Sequence, residues 1–161
     1  MGNALTGHLS PFALVRLFAA PALLVIWACQ VIRVSVINSD LPTQVFHSSL
    51  FELNLVYSEN RGVNFGLFGD AEANQLALAS VAGLVCAVLA VILLRRGRVM
   101  HALAAGLIVG GGFSNIYERI TQGFVFDYIN TPFFGFSNPY NYNVADIFIV
   151  LPILWWALVA D

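Results

Sequence analysis

The stretch YNYNVADIFIVLPILWW, residues 140–156, joins a polar segment to an apolar run and holds one carboxylate, Asp146, at the junction. The apolar part is rich enough in aliphatic and aromatic residues to enter a membrane. An acid at the centre of a bilayer costs roughly 2.5–3.5 kcal/mol, so such groups are rare and usually functional. Asp146 is therefore a helix cap, a partner in an ion pair, or half of a reaction centre.

The whole chain has the composition of an integral membrane protein. Of its 161 residues, 59% are hydrophobic and 10% are charged, whereas a soluble domain carries about 25% charged residues. The formal net charge is −2 and no polybasic patch is present, so nucleic acid is not an expected partner. Cys29 and Cys86 lie in apolar runs, where buried free thiols are expected rather than a disulfide or a metal site.

Four apolar stretches are long enough, at ~1.5 Å per residue, to cross a ~30 Å hydrocarbon core. They predict membrane spans over about 12–37, 74–94, 99–117 and 144–160. The first span is expected to be retained, because the segment before it lacks the early positive charge of a secretory signal. We therefore expect one membrane domain, residues 1–161, which acts as a monomer because a bundle of four spans needs no second copy.

The loop between the second and third spans indicates the orientation. It reads RRGR, residues 95–98, and positive charge concentrates on the cytoplasmic side of a membrane. This loop and both chain termini are therefore expected in the cytoplasm, although Arg33, Arg61 and Arg119 fall on the other side. Two segments then face the exterior, residues 38–73 and 118–143.

The exterior segments show a strand pattern and a loop pattern. In FELNLVY, residues 51–57, large apolar residues alternate with the others, which predicts a half-buried strand. The following ENRG, residues 59–62, is typical of a turn, and TPFFGFSNPYNYN, residues 131–143, predicts an aromatic loop at the headgroup level. The predicted fold is an all-α membrane protein of four transmembrane helices, with a small extracytoplasmic β-cradle or hairpin and a loop.

Two carboxylates are expected to meet at the exterior face, because Asp127 follows the third span and Asp146 begins the fourth. Two acids in a partly apolar site cannot both ionise easily, so the pair shares a proton. Such a pair suits aspartic proteolysis, in which one carboxylate activates water and the other protonates the substrate. Asn60, Asn115 and Asn143 fall on the same side, either as cap and turn residues or as groups that bind substrate and hold the carboxylates.

Each acid also has a purely structural explanation. With Asn143 as the N-cap, Asp146 is the third residue of a helix, where an acid is favoured by the helix dipole. Asp127 could pair with Arg119. The three glycines at 110–112 predict close packing between helices.

The order and spacing of these residues resemble the lipoprotein signal peptidase family, also called signal peptidase II. Its N-x-G-A-A-F-like box corresponds to NRGVNFG, residues 60–66. Its G-G-x-x-N-x-x-D-R-I and G-x-V-x-D boxes correspond to GGFSNIYERI, 111–120, and GFVFD, 123–127. Its F-N-x-A-D box corresponds to YNVAD, 142–146, so the resemblance extends over most of the chain.

The resemblance implies an aspartic endopeptidase that removes the signal peptide from diacylglyceryl-modified prolipoproteins, just before the lipid-bearing cysteine. It implies Asp127 and Asp146 as the catalytic pair. The residues that line and support the site would be Asn60, Gly62, Asn115, Arg119 and Asn143. The implied partners are lipid-modified prolipoproteins and membrane lipid, with no cofactor and no metal. The implied place is the bacterial cytoplasmic (inner) membrane, with the site on its extracytoplasmic face.

Several positions depart from the family pattern. Cys29 replaces an acid of the first span, and Arg33 replaces the basic partner of that acid. Within the boxes, residues that differ in size or type from the family pattern are Val63, Asn64, Glu118 and Tyr142. Two alternatives stay open: a non-catalytic paralogue that binds lipidated peptides or membrane-protein partners, and a small transporter whose acids relay protons.

Overall fold

The computed structural model describes residues 10–62 and 75–159. The elements follow in the order α1 (Pro11–Ile37), β1 (Thr43–His47), β2 (Glu52–Asn60), α2 (Gln75–Leu94), α3 (Val99–Gln122), β3 (Val125–Asn130) and α4 (Val144–Val159). The protein is therefore mostly helical with a small sheet. The departures at Val63 and Asn64, and the two chain ends expected in the cytoplasm, lie outside the described residues.

Three helices in the described part of the chain are long and apolar enough to cross a membrane. They are α1, α2 and α3, with 27, 20 and 24 residues. The fourth apolar run forms α4, whose 16 residues extend over only ~24 Å at ~1.5 Å per residue. The third span continues past its predicted end at residue 117 to Gln122, so Arg119 belongs to the last turn of α3 rather than to a loop.

Helix α3 lies at the centre and packs against the other three helices. Gly110 faces α1, Gly111 faces α4, and Gly112 faces the free thiol of Cys86 on α2. A Cβ atom at Gly111 would lie 2.5 Å from the carbonyl oxygen of Ala145, closer than any real contact. The prediction of close packing at the glycines is confirmed, since only a residue without a side chain permits this approach.

The three strands form one antiparallel sheet in the order β1-β2-β3. The predicted strand is present as β2, but it continues to Asn60, so the turn expected at residues 59–62 begins later. Tyr57 is 55% exposed rather than buried as the alternation predicts. The pairing of β2 with β3 is irregular between Leu55 and Ser58, and such an irregularity re-aims the neighbouring side chains.

Strand β3 lies in the exterior segment 118–143, for which the sequence predicted a loop and no strand. Its residues are buried on both faces, so the chain shows no alternation of apolar and polar residues there. One edge of β3 pairs with β2. On its other side, Ile129 N–H donates to Tyr142 O at 2.8 Å. This pairing brings Asp127, on β3, beside the start of α4.

Candidate active site

Asn143 joins the two acids that the sequence analysis singled out. Its side-chain Nδ2 donates to Asp127 Oδ1 at 3.0 Å, and its backbone N–H donates to Asp146 Oδ2 at 3.0 Å. The two carboxylates therefore bind the same residue. The structure thus brings together two side chains that belong to different elements, β3 and α4.

Asp146 is held by the way α4 begins. Asn143 Oδ1 accepts from Asp146 N–H at 3.1 Å, while Asp146 Oδ2 accepts from Asn143 N–H. This reciprocal arrangement is a capping box, which satisfies backbone donors that have no partner inside the helix. The helix-cap explanation of Asp146 is therefore correct. The same cap places the carboxylate in the first turn of α4, where the helix dipole favours a negative charge.

Asp127 is held by two amide groups from opposite sides. Asn60, at the end of β2, donates to Asp127 Oδ2 at 2.9 Å, and Asn143 donates to Oδ1. The side chain is almost fully enclosed, with 2% of the residue exposed. A buried carboxylate needs such partners, because a buried polar group without hydrogen bonds is costly.

Asn115 completes the cluster from α3. Its Nδ2 donates to Asp146 Oδ1 at 2.8 Å, and its Oδ1 accepts from Asn143 Nδ2 at 3.1 Å. Asn143 therefore uses both hydrogens of its amide group, one towards Asp127 and one towards Asn115. Amides from β2, from α3 and from the residue that caps α4 bind the two acids in one connected network.

Arg119 does not form the ion pair with Asp127 that the structural alternative required. Among the described residues, its guanidinium donates to Gly62 O at 3.0 Å and to Gln75 Oε1 at 3.1 Å. Gln75 in turn donates to Arg61 O at 2.6 Å. Arg119 thus ties the end of β2 to the start of α2, while its positive charge still lowers the pKa of Asp127.

Sequence reasoning missed Gln75 and the partner of Glu118. Gln75 is the first residue of α2, and its place at the polar start of an apolar run was the one available signal. Glu118 pairs with Arg33 across α1 and α3, with Arg33 Nε 3.5 Å from Glu118 Oε1. Arg33 and Glu118 are both recognisable as charged residues in the sequence, but nothing in their spacing predicts that they form a pair.

Burial is the main cause of an unusual protonation equilibrium at Asp127. The pKa of Asp127 is raised to about 7, first by loss of solvent and second by the charge of the neighbouring Asp146. The amides of Asn60 and Asn143 and the charge of Arg119 oppose this shift. The pKa of an isolated aspartate is about 3.9. Asp127 therefore holds a proton over much of the pH range in which an exposed aspartate is ionised.

Comparison with known proteins gives consistent sequence matches. The sequence profile of the family described as Signal peptidase (SPase) II matches residues 21–160. A lipoprotein signal peptidase of Methylobacterium sp. (strain 4-46) is 38% identical over 115 residues, which cover 70% of this chain and 68% of that protein. One of Pelagibacter ubique is 35% identical over 108 residues, covering 66% and 64% of the two chains. One of Sphingopyxis alaskensis is 29% identical over 139 residues, covering 86% and 79%.

Two solved structures have a similar fold. Both are described as bacterial membrane enzymes, and both are 18% identical in sequence to this chain. The first has a TM-score of 0.64 and covers 99% of this chain and 94% of its own. The second has a TM-score of 0.63, with 97% and 98% covered. At this identity the likeness concerns the fold alone.

Proposed function

The chain belongs to the signal peptidase II family, and from this premise we propose that it removes signal peptides from lipid-modified prolipoproteins with a pair of aspartates. Membership of the family implies a protease. The observation that carries the finer proposal is the bridging of Asp127 and Asp146 by Asn143 inside a buried network of amides. That arrangement is suited to two acids that share one proton.

In this proposal the catalytic groups are Asp127 and Asp146, and the nucleophile is water. The ionised member of the pair takes a proton from water as it attacks the scissile carbonyl carbon. The protonated member gives its proton to the departing amine. No side chain forms a covalent bond with the substrate, and the reaction needs no cofactor.

The neighbouring polar residues hold the pair and bind the substrate backbone. Asn143 and Asn115 fix Asp146, and Asn60 fixes Oδ2 of Asp127. Gly62 and Arg119 are joined through the glycine carbonyl. They keep the end of β2 against α3, so that an extended peptide can lie beside the two acids.

The membrane arrangement belongs to the same proposal. Helices α1 to α4 form one domain of four crossings, with both termini and the 95–98 loop in the cytoplasm. The acids lie at the end of α3 opposite to that loop, because β3 and the start of α4 follow the last turn of α3. The site is therefore extracytoplasmic, where a signal helix and acyl chains reach it from within the bilayer. A single copy supplies every residue named.

A cleavage assay tests the function directly. The purified protein in lipid-containing micelles is mixed with a prolipoprotein that carries the diacylglyceryl group, and with the same substrate without it. We expect only the lipidated substrate to be cleaved, with a product that begins with the lipid-bearing cysteine and is identified by mass spectrometry. Binding without a shorter product would contradict the proposal and support the non-catalytic alternative.

The activity is expected to fall as the pH rises through about 7. Because the pKa of Asp127 is raised to about 7, the pair carries its shared proton below this pH and loses it above. The profile of kcat/KM against pH should therefore show a basic limb near pH 7 and an acidic limb where the second carboxylate gains its proton. A rate that stays flat from pH 5 to about 9 would count against a proton-sharing pair.

Asn60→Leu is expected to move that basic limb to higher pH. The Asn60 amide stabilises the charged form of Asp127 and so lowers its pKa, and removing it should raise the pKa by up to ~1 unit. Asn54→Leu on the same strand serves as the control, because Asn54 pairs with Asn130, away from Asp127. A limb at the same pH in both variants would show that Asn60 does not set the protonation of the pair.

A further inference from the structure

Glu118 is a buried carboxylate beside the site to which the mechanism assigns no role. It lies near the end of α3 and is 4% exposed. Its Oε2 accepts from the backbone N–H of Phe126 at 2.9 Å, and its Oε1 lies 3.5 Å from Arg33 Nε. One side chain thus connects α1, α3 and the residue that precedes Asp127.

The hydrogen bond from Phe126 N–H to Glu118 satisfies a backbone donor at one edge of β3. The N–H of Tyr128 donates to Tyr142 O at 3.1 Å, and residues two apart on a strand present their amides to the same edge. At Phe126 this edge is filled by the Glu118 carboxylate instead of a backbone carbonyl. The position of the strand at Asp127 therefore depends on a side chain of α3.

The charge of Glu118 is balanced from α1. Arg33 is the cation within ion-pair distance of Glu118 in the described part of the chain, and its Nε has no hydrogen-bond partner there. The contact is therefore between charges rather than through a formed hydrogen bond at Nε. Removing Arg33 alone leaves Glu118 as an uncompensated buried charge, which is costlier than removing both partners.

We propose that Glu118 is a positioning residue for Asp127. Arg33 neutralises the Glu118 carboxylate, and this carboxylate holds the backbone N–H of Phe126 in place. Its effect is to keep Asp127 within hydrogen-bond distance of Asn143. This inference deepens the proposed function and rests on it, because it concerns the geometry of the same acid pair.

Two double variants separate the hydrogen bond from the charge. Arg33→Met with Glu118→Gln removes both charges but keeps a carbonyl oxygen that accepts from Phe126 N–H. Arg33→Met with Glu118→Leu removes the charges and the acceptor. We expect kcat close to wild type in the first and ~10²-fold lower in the second, with KM little changed, because a misplacement of about 1 Å is costly at a reacting group.

The single variant Arg33→Met provides a rescue test. It leaves Glu118 charged and unpaired, so its kcat should lie below that of the Arg33→Met, Glu118→Gln variant. A purely structural role would make thermal unfolding and kcat change together across the set. Equal kcat in the two double variants, or no rescue by Gln, would overturn the inference.

Hydrogen exchange at the Phe126 amide gives a readout that does not need turnover. We expect slow exchange in the wild type and in the Gln double variant, and fast exchange in the Leu double variant. Equal protection in all three would overturn the positioning role. If this pattern is present but the wild type does not cleave a lipidated prolipoprotein, the proposed function fails while the contact of Glu118 with β3 stands.

Discussion

Replacing Asp127 with asparagine is expected to abolish cleavage of a lipidated prolipoprotein, and the same change at Asp146 should be equally severe. An amide has nearly the shape of the carboxyl group, but it can neither take a proton from water nor give one to the departing amine. Each change should therefore lower kcat by at least ~10²-fold. The double variant should be little worse than either single one, since groups that act as a unit are not additive.

The measurement is a gel-shift or mass-spectrometric assay of the processed lipoprotein, with folding checked by thermal unfolding. Asp40→Asn is the matched control, because Asp40 is an exposed acid just after the C-terminal end of α1, outside the amide network. It should leave the rate unchanged. Undiminished processing by either aspartate variant would remove that residue from the proposed catalytic pair.

Gly111→Ala is expected to destabilise the protein and to lower its activity, although it adds a single methyl group. The new Cβ would meet Ala145 O at 2.5 Å and Ile149 Cγ1 at 3.0 Å, so α4 must move away from α3. Overpacking of this kind costs about 1–3 kcal/mol. Since Ala145 precedes Asp146, the displacement should also separate the two acids and lower kcat by up to ~10²-fold.

Gly83→Ala is the control for that substitution. Gly83 lies inside α2, and a Cβ there would have its nearest contact, Ile116 Cδ1, at an ordinary 3.6 Å. Because alanine is favoured over glycine in a helix by about 1 kcal/mol, this variant should keep or raise the unfolding temperature and retain activity. Similar losses in both variants would show that close approach at Gly111 is unimportant.

The helices were predictable because their signal is local. Runs of apolar residues identify α1, α2 and α3 within a few residues of their bounds. Strand β3 was not predictable in this way, because Phe126 and Tyr128 face one side and Val125 and Ile129 the other, and all four are buried. A strand without an exposed face leaves no period of two in the sequence.

The sequence predicted which residues form the candidate site better than it predicted the contacts between them. Topology alone predicted that Asp127 and Asp146 lie close together, and the cap pattern placed Asn143 before α4. The contacts of Gln75 with Arg119 and of Glu118 with Phe126 depend on where α3 ends relative to α2 and β3. That relation is set by packing between distant segments, for which a single sequence contains no periodic signal.

The full use of Asn143 has an evolutionary consequence. Its backbone N–H, both hydrogens of its side-chain amide and its side-chain oxygen all bind the acids, their backbone or Asn115. Aspartate lacks the amide hydrogens, serine lacks the second donor, and glutamine is one methylene longer. No single substitution at this position preserves all four hydrogen bonds. A homologue with another residue here must therefore also differ in the residues that Asn143 binds in this protein.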